Sequence, residues 1–242
     1  MHTPRTRLRL ALIQVRNHST SLIQEQGCFI ERCHVARDQF HFINIAENPG
    51  IRWRDVENAH AVIIGGSGSY SVIDDHPFSL PLADVAHELI ERDRPLFGVC
   101  WGHQFLVKMT GGTVVEDRAQ KEIGSFKVTL TDHGLDDPLF AECPSPFWVQ
   151  LGHKDSVTRL PSPWRELGRS ERSPNQAVRL GDKPVYGTQF HCELDTDRLR
   201  HRLLVYFDDY VEDEAEHQAI LRSLRPSPDA DRLLERFLEL YA

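Results

Sequence analysis

Apolar and polar residues follow two different patterns along the first 110 residues of the chain. Short continuous apolar runs, which are typical of buried strands, occupy residues 9–15, 41–47, 59–66 and 95–99. Apolar residues at helical spacing lie between and after these runs, at 21–38, 82–93 and 102–110. Because strands alternate with helices, this half of the chain is predicted to form a mostly parallel central sheet with helices on both faces.

The second half of the chain has a different pattern, in which strands dominate and Pro, Gly and Asp separate them. Further strands are predicted at 112–117, 125–131, 146–151 and 184–190, and two helical stretches follow at 196–224 and 229–242. The predicted fold is therefore α/β, with added antiparallel strands and a C-terminal helical extension. We expect one domain over residues 1–242, with a core at about 8–203 and the extension at about 204–242.

Composition narrows the possible classes of function. The net charge of −8 argues against a general nucleic-acid binder, and no apolar run approaches the roughly 18–20 residues of a membrane span. The cysteines are scattered, odd in number and without C-x-x-C spacing, which disfavours a disulfide framework or a zinc site; they are Cys28, Cys33, Cys100, Cys143 and Cys192. We therefore expect a cytoplasmic protein with neither a metal nor a cofactor.

One cysteine occupies a special position in this pattern. Gly98, Cys100 and Gly102 form a Gly-x-Cys-x-Gly segment between a predicted strand and a predicted helix. This arrangement is the cysteine version of the nucleophile elbow, in which small neighbours allow a sharp turn. The start of a helix also favours a thiolate. Cys100 is therefore a candidate nucleophile; the alternative is a buried cysteine in a turn.

Two other segments supply partners for a reactive thiolate. His191 and Glu193 end a strand-like run, and residues two apart on extended chain point to one face, so the carboxylate could orient the imidazole. The glycine-rich segment 63–70 follows another predicted strand and could form an oxyanion hole with the N–H of Trp101. The alternative for the first segment is a histidine at a strand end with a solvated glutamate. The alternative for the second is a plain turn or a phosphate-binding loop.

Together these segments resemble the class I (triad) glutamine amidotransferases, which have a flavodoxin-like fold. The similar motifs are GVCWGHQ, GTQFHCE and IIGGSGS, together with KEIG (121–124) and LGHKDSV (151–157), in the family's order. The resemblance covers about residues 8–203. It is greatest to the amidotransferase domain of GMP synthase and its free-standing relatives.

The resemblance implies a role for each matching residue. Cys100 would be the nucleophile, His191 the general base and acid, and Glu193 its orienting carboxylate. Gly66 and Trp101 would form the oxyanion hole. The residues that would bind the substrate are Gln104, Gly152 and His153. The implied reaction is hydrolysis of the glutamine γ-carboxamide through a γ-glutamyl thioester, with release of ammonia.

The motifs depart from the family at two positions, because Cys192 replaces a proline and Lys154 replaces a frequent glycine. Both departures leave open whether the substrate is glutamine or another γ-glutamyl compound. Three functions follow: a glutaminase that passes ammonia to a separate synthetase chain, a free-standing γ-glutamyl peptidase or hydrolase, and a catalytically silent regulatory protein. No ATP-binding segment is recognisable, so an ammonia acceptor is expected on another chain.

Overall fold

The computed structural model describes residues 3–211 and 213–242. The strands of this part of the chain are β1 (Leu10–Gln14), β2 (Phe40–Asn44), β3 (Ala61–Ile64), β4 (Leu96–Val99), β5 (Thr113–Glu116), β6 (Glu122–Leu130), β7 (Phe147–His153), β8 (Asp155–Arg159), β9 (Trp164–Arg169), β10 (Ala177–Leu180) and β11 (Val185–Thr188). The helices are α1 (Ser19–Cys33), α2 (Ser79–Glu91), α3 (Trp101–Met109), α4 (Asp132–Leu135), α5 (Thr196–Val205), α6 (Phe207–Tyr210), α7 (Glu214–Ser223) and α8 (Leu233–Tyr241).

Most of these strands form one sheet in the order β2-β1-β3-β4-β11-β10-β9-β6-β7. The pairs from β2 through β11 are parallel, and those from β11 to β7 are antiparallel. Strands β5 and β8 form a separate antiparallel pair. The predicted fold, a mostly parallel sheet with added antiparallel strands, is confirmed.

Helices cover both faces of the parallel half because its strands are apolar on both sides. In β1, Leu10 and Leu12 face one cluster of buried side chains, while Ala11 and Ile13 face another. The first cluster includes α1 and α8, and the second includes α2 and α3. This double burial explains why the strands appear in the sequence as continuous apolar runs rather than alternating ones.

Two predicted helical stretches have different bounds in the structure. The helix predicted over 21–38 ends at Cys33, because His34 adopts a left-handed conformation with φ of 51°. The stretch 196–224 is divided into α5, α6 and α7. Its last part begins anew at Asp213, whose side chain accepts a hydrogen bond from the Glu216 N–H and so caps α7.

Three strands, β8, β9 and β10, were not among the predicted ones. Strand β8 follows β7 after the single residue Lys154, where the chain passes from the main sheet to the smaller one. None of the helices in the described part of the chain is long and apolar enough to cross a membrane.

The C-terminal helix α8 packs directly beneath the parallel strands. Phe237 is fully buried, with its ring centroid 5.1 Å from that of Phe97 in β4 and 5.9 Å from that of Tyr186 in β11. On the outer face of α8, Arg5 pairs with Glu235 at 2.6 Å. The C-terminal segment therefore supports the two strands at the centre of the sheet.

We predict that Phe237→Ala lowers the free energy of unfolding by about 3–5 kcal/mol, because it leaves a cavity against β4 and β11. Glu239→Ala on the same helix is the matched control, since its side chain is 58% exposed and its pairing with Arg5 lies at the surface. The control should cost no more than about 1 kcal/mol. Urea denaturation of both variants measures the difference, and equal small losses would show that α8 does not stabilise the sheet.

Candidate active site

The candidate site lies at the carboxyl ends of three adjacent parallel strands, β3, β4 and β11. Each of these strands ends immediately before one part of the site. The glycine-rich loop (residues 65–70) follows β3, Cys100 follows β4, and a segment with His191 and Glu193 follows β11. Ligands of open α/β sheets bind at this edge, so the sheet order itself brings the predicted residues together.

Cys100 occupies a sharp turn between β4 and α3. Its φ of 53° and ψ of −102° are unusual for a residue other than glycine, and such strain is typical of functional sites. A Cβ on Gly98 would lie 2.7 Å from the Gly102 backbone, and one on Gly102 would lie 2.3 Å from the Ile64 carbonyl oxygen. Both glycines are therefore required by the close approach of strand and helix.

His191 and Glu193 form a buried pair beside this turn. The imidazole Nδ1 lies 2.7 Å from Oε1 of Glu193, whose carboxylate is completely buried and accepts this hydrogen bond. The His191 N–H donates to the Gln150 carbonyl in β7 at 2.8 Å, which fixes the backbone. The carboxylate thus determines which imidazole nitrogen is protonated and leaves Nε2 for other chemistry.

The pKa values of this pair depend on burial and on neighbouring charges. Burial alone lowers the pKa of His191, but the charges of Glu193 and Cys100 raise it, and the net pKa is about 10. Burial raises the pKa of Glu193, yet His191 and Arg202 together hold it below its usual range. His103 has no such carboxylate, and burial lowers its pKa to about 3. The carboxylate therefore keeps His191 able to carry a proton.

Gly66 lies between Cys100 and His191. A Cβ on Gly66 would be 2.9 Å from Cε1 of His191 and 3.5 Å from Cβ of Cys100, so Gly66 lies against both side chains. The loop is fixed to the helix start because the Gly102 N–H donates to the Gly65 carbonyl at 3.1 Å.

The two N–H groups predicted for an oxyanion hole are available at this point. Within residues 3–211 and 213–242, neither the Gly66 N–H nor the Trp101 N–H donates to a protein acceptor. The Trp101 ring stacks on Phe105 with centroids 5.0 Å apart, which holds the first turn of α3 in place. Both N–H groups can therefore bind an oxyanion that forms next to Cys100.

A buried ion pair, which the sequence analysis missed, supports the glycine-rich loop. Nη2 of Arg16 lies 2.6 Å from Oε1 of Glu25, and both side chains are almost completely buried. A Cβ on Gly65 would lie 2.8 Å from the Glu25 carboxylate, and one on Gly66 3.3 Å from Arg16. The available signal was a charge just after an apolar strand and another within an amphipathic helix, since buried charges are found in pairs.

Tyr206 at the end of α5 covers the same loop from the other side. A Cβ on Gly68 would lie 2.2 Å from the Tyr206 ring, so the aromatic face packs directly on the backbone. The Tyr206 hydroxyl lies 2.8 Å from Ser21 Oγ, which ties the loop to α1 as well. The C-terminal helices therefore help to position the loop.

A cavity of about 290 Å³ opens from Cys100 to the surface. Its lining combines the glycine-rich loop, the elbow and the β7–β8 turn, namely Ser67, Gly68, Ser69, Tyr70, Ser71, Ile73, Asp74, Cys100, Trp101, Gln104, Glu116, Gly152, His153, Lys154, Asp155 and Tyr210. The predicted residues Gln104, Gly152 and His153 thus face the same space as Cys100. His191 lines a smaller cavity of about 20 Å³ that also contacts Gly152.

The side chains of two predicted substrate-binding residues are bound within the protein. Gln104 Nε2 donates to the Asp155 carbonyl at 2.8 Å and to the Gln189 amide oxygen at 2.9 Å. The His153 ring nitrogens lie 2.9 Å from the Asp155 carbonyl oxygen and 3.1 Å from the Glu122 carboxylate. A contact from His153 to a substrate would therefore come from its backbone, as the motif implies.

The remaining cysteine near the site has a different environment. Cys192 is completely buried in the apolar cluster beneath the sheet, and burial raises the pKa of its thiol well above the usual value. Among the described residues, no group of three His, Cys, Asp or Glu side chains could hold a metal ion.

Comparison with known proteins identifies related sequences. The chain is 34% identical to a GMP synthase [glutamine-hydrolyzing] of Thermosipho africanus over 62% of this chain and 27% of that protein. It is also 34% identical to the one from Streptococcus pneumoniae, over 71% of this chain and 29% of that protein. The chain thus spans little more than a quarter of the length of these relatives.

Two solved structures share the fold. A glutamine amidotransferase from Thermotoga maritima has a TM-score of 0.77 at 21% identity, over 96% of this chain and 98% of that chain. A glutamine amidotransferase from Methylobacillus flagellatus has a TM-score of 0.73 at 20% identity, over 96% and 93%. The model of the family "Glutamine amidotransferase class-I" matches residues 14–209, so the chain belongs to the class-I glutamine amidotransferases.

Proposed function

We propose that the protein hydrolyses the γ-carboxamide of glutamine through a Cys100 thioester and releases ammonia to a separate acceptor enzyme. The observation that carries this proposal is that Gly66 lies against both Cys100, which lines the cavity, and His191 of the buried His191–Glu193 pair. Membership of the family, and the names of the GMP synthases above, support glutamine as the substrate.

The proposed reaction has two halves that use the same groups. The Cys100 thiolate attacks the amide carbon, and the oxygen takes the negative charge while facing the N–H groups of Gly66 and Trp101. His191 gives a proton to the leaving nitrogen as the C–N bond breaks, which releases ammonia and leaves a γ-glutamyl thioester. His191 then takes a proton from a water molecule that attacks the thioester, and glutamate leaves.

The ammonia acceptor is proposed to be another enzyme. The GMP synthases that the chain resembles extend well beyond the matched region, which covers 27% of the Thermosipho africanus protein. A docked acceptor would receive ammonia before solvent protonates it. Release of ammonia by the purified chain alone would then be slow, because binding of a partner can complete an active site.

A second candidate is hydrolysis of other γ-glutamyl compounds. The cavity of about 290 Å³ is close to the lower end of the range for sites of drug-sized ligands, so it has room beyond a γ-glutamyl group. The same thioester chemistry would apply with an amine or amino acid as the leaving group. A panel of glutamine and γ-glutamyl amino acids, with ammonia and glutamate measured, distinguishes the two candidates by their kcat/KM values.

We predict that Cys100→Ala lowers glutamate release by more than about 10⁴-fold, the scale seen when a triad nucleophile is removed. Cys192→Ala is the matched control because this second thiol is buried in the apolar cluster, and it should retain most activity. Thermal unfolding checks that both proteins are folded. Near-normal turnover by folded Cys100→Ala would contradict the assignment of the nucleophile, and turnover by neither the control nor the unsubstituted protein would favour a regulatory role.

We also predict that His191 stays protonated at pH 8, because its pKa of about 10 lies above that pH. In Glu193→Gln one of the two charges that raise this pKa is gone, so the pKa should fall and the ring should lose its proton at a lower pH than in the unsubstituted protein. Nuclear magnetic resonance of the ring nitrogens during a pH titration measures this change. His103, whose pKa of about 3 keeps it neutral throughout, is the internal reference; an unchanged His191 titration would contradict the role of Glu193.

A further inference from the structure

Lys154 occupies the one-residue turn between β7 and β8 and faces the cavity that contains Cys100. Among the described residues that line this cavity, it is the only lysine or arginine. Its side chain is half-buried, and its backbone carbonyl accepts a hydrogen bond from the Asp117 N–H at 3.0 Å. The lysine is thus held at a fixed point on the cavity wall.

The aromatic ring of Tyr210 holds the ammonium group of this lysine. Nζ lies 5.1 Å from the ring centroid, within the range of a cation–π interaction. The Tyr210 hydroxyl donates to the Ser67 carbonyl at 3.4 Å, so the ring itself is fixed to the glycine-rich loop. The C-terminal segment thereby fixes a positive charge in the lining of the cavity.

The Lys154 ammonium has no carboxylate within 4 Å in the described part of the chain, whereas two of the other lysines do. Lys121 pairs with Glu216 at 2.8 Å, and Lys183 pairs with Asp93. An ammonium has three donors, and a ring face uses its charge without accepting a conventional hydrogen bond. Lys154 therefore keeps the capacity to bind an anionic group that enters the cavity.

Two of the three carboxylates among the described residues that line the cavity have partners of their own. Asp155 accepts a hydrogen bond from Ser71 Oγ at 2.5 Å, and Glu116 pairs with Arg118 at 2.6 Å. A substrate with both an ammonium and a carboxylate would meet groups of both signs here. The charge arrangement selects against a substrate in which the carboxylate is replaced by a neutral amide, since Lys154 would then lack its partner.

We propose that Lys154 is a specificity-determining residue that binds a carboxylate of the substrate. This inference rests on the proposed function, because γ-glutamyl compounds provide that carboxylate from one of two sources. One source is the α-carboxylate of the glutamyl group, and the other is the carboxylate of an amino acid that leaves. In both cases the contact is made in the bound substrate as well as during reaction, so it acts on KM more than on kcat.

Two substrate pairs distinguish the sources. Glutamine and its α-amide differ only at the glutamyl carboxylate, and γ-glutamylglycine and γ-glutamylglycinamide differ only at the leaving group. Lys154→Met keeps the length of the side chain but removes its charge. It should raise KM for the carboxylate-bearing member of one pair by about 10- to 100-fold, with kcat nearly unchanged, and abolish the preference over the amide.

Two further variants separate charge from shape. Lys154→Arg keeps the positive charge and should retain the preference. Lys127→Met is the matched control, because Lys127 Nζ also lies over an aromatic ring, 5.2 Å from the centroid of Trp148, but outside the cavity lining. This control should behave as the unsubstituted protein in every assay. A preference that Lys154→Met leaves intact in both pairs would overturn the proposal.

Binding to the Cys100→Ala protein separates this inference from the proposed function. Calorimetry with the same four compounds, in Cys100→Ala with and without Lys154→Met, measures affinity when no turnover occurs. A preference for the carboxylate that disappears with Lys154→Met supports the inference even if the unsubstituted protein hydrolyses none of the compounds. If Cys100→Ala with Lys154 intact binds the carboxylate and the amide of each pair with equal affinity, the inference is overturned, whatever the turnover result.

Discussion

The close contact between the end of β4 and the start of α3 is the constraint on which the rest of the site depends. Gly98 has no space for a Cβ because of the Gly102 backbone, Gly102 has none because of Ile64 in β3, and the strand passes into the helix through one strained residue, Cys100. This turn places the thiol beside the first N–H groups of the helix, where negative charge is stabilised. The neighbouring strands β3 and β11 then bring the loop and His191 to the same point.

Two buried ion pairs also position the groups of the site. The His191–Glu193 pair lies next to the thiol, and the Arg16–Glu25 pair lies behind the glycine-rich loop. Buried pairs contribute little net stability, because desolvation offsets much of their attraction. Their value here is positional, since the first pair fixes the imidazole of His191 and the second supports the loop that would supply an oxyanion N–H in the proposed reaction.

The features that could be predicted from the sequence are those set by local geometry. Gly98 is required by a turn that brings it against Gly102 within five residues, and His191 and Glu193 lie two apart on extended chain. The parallel sheet was likewise predictable, because strands buried on both faces need continuous apolar runs. The family resemblance then connected these separate signals into one site.

The features that could not be predicted join segments far apart in the chain. Arg16 and Ser21 meet Tyr206 across about 190 residues, and the Lys154 ammonium rests on a ring from the C-terminal helices. The spacing of apolar residues predicts that a helix forms. It does not predict where the helix ends, and these contacts depend on that end. The break in the helical stretch at Val211 has a local cause instead: the cap formed by Asp213 competes with helix propagation there.

The central claim is that Cys100 carries the glutamyl group between the two halves of the reaction. Its most direct test is mass spectrometry of the protein after brief incubation with glutamine and an acid quench that preserves thioesters. We expect a mass increase of one glutamyl group, located by peptide mapping on the peptide with Cys100 and lost on treatment with hydroxylamine. Turnover of glutamine with no adduct at Cys100, or with the adduct on another cysteine, would contradict the account.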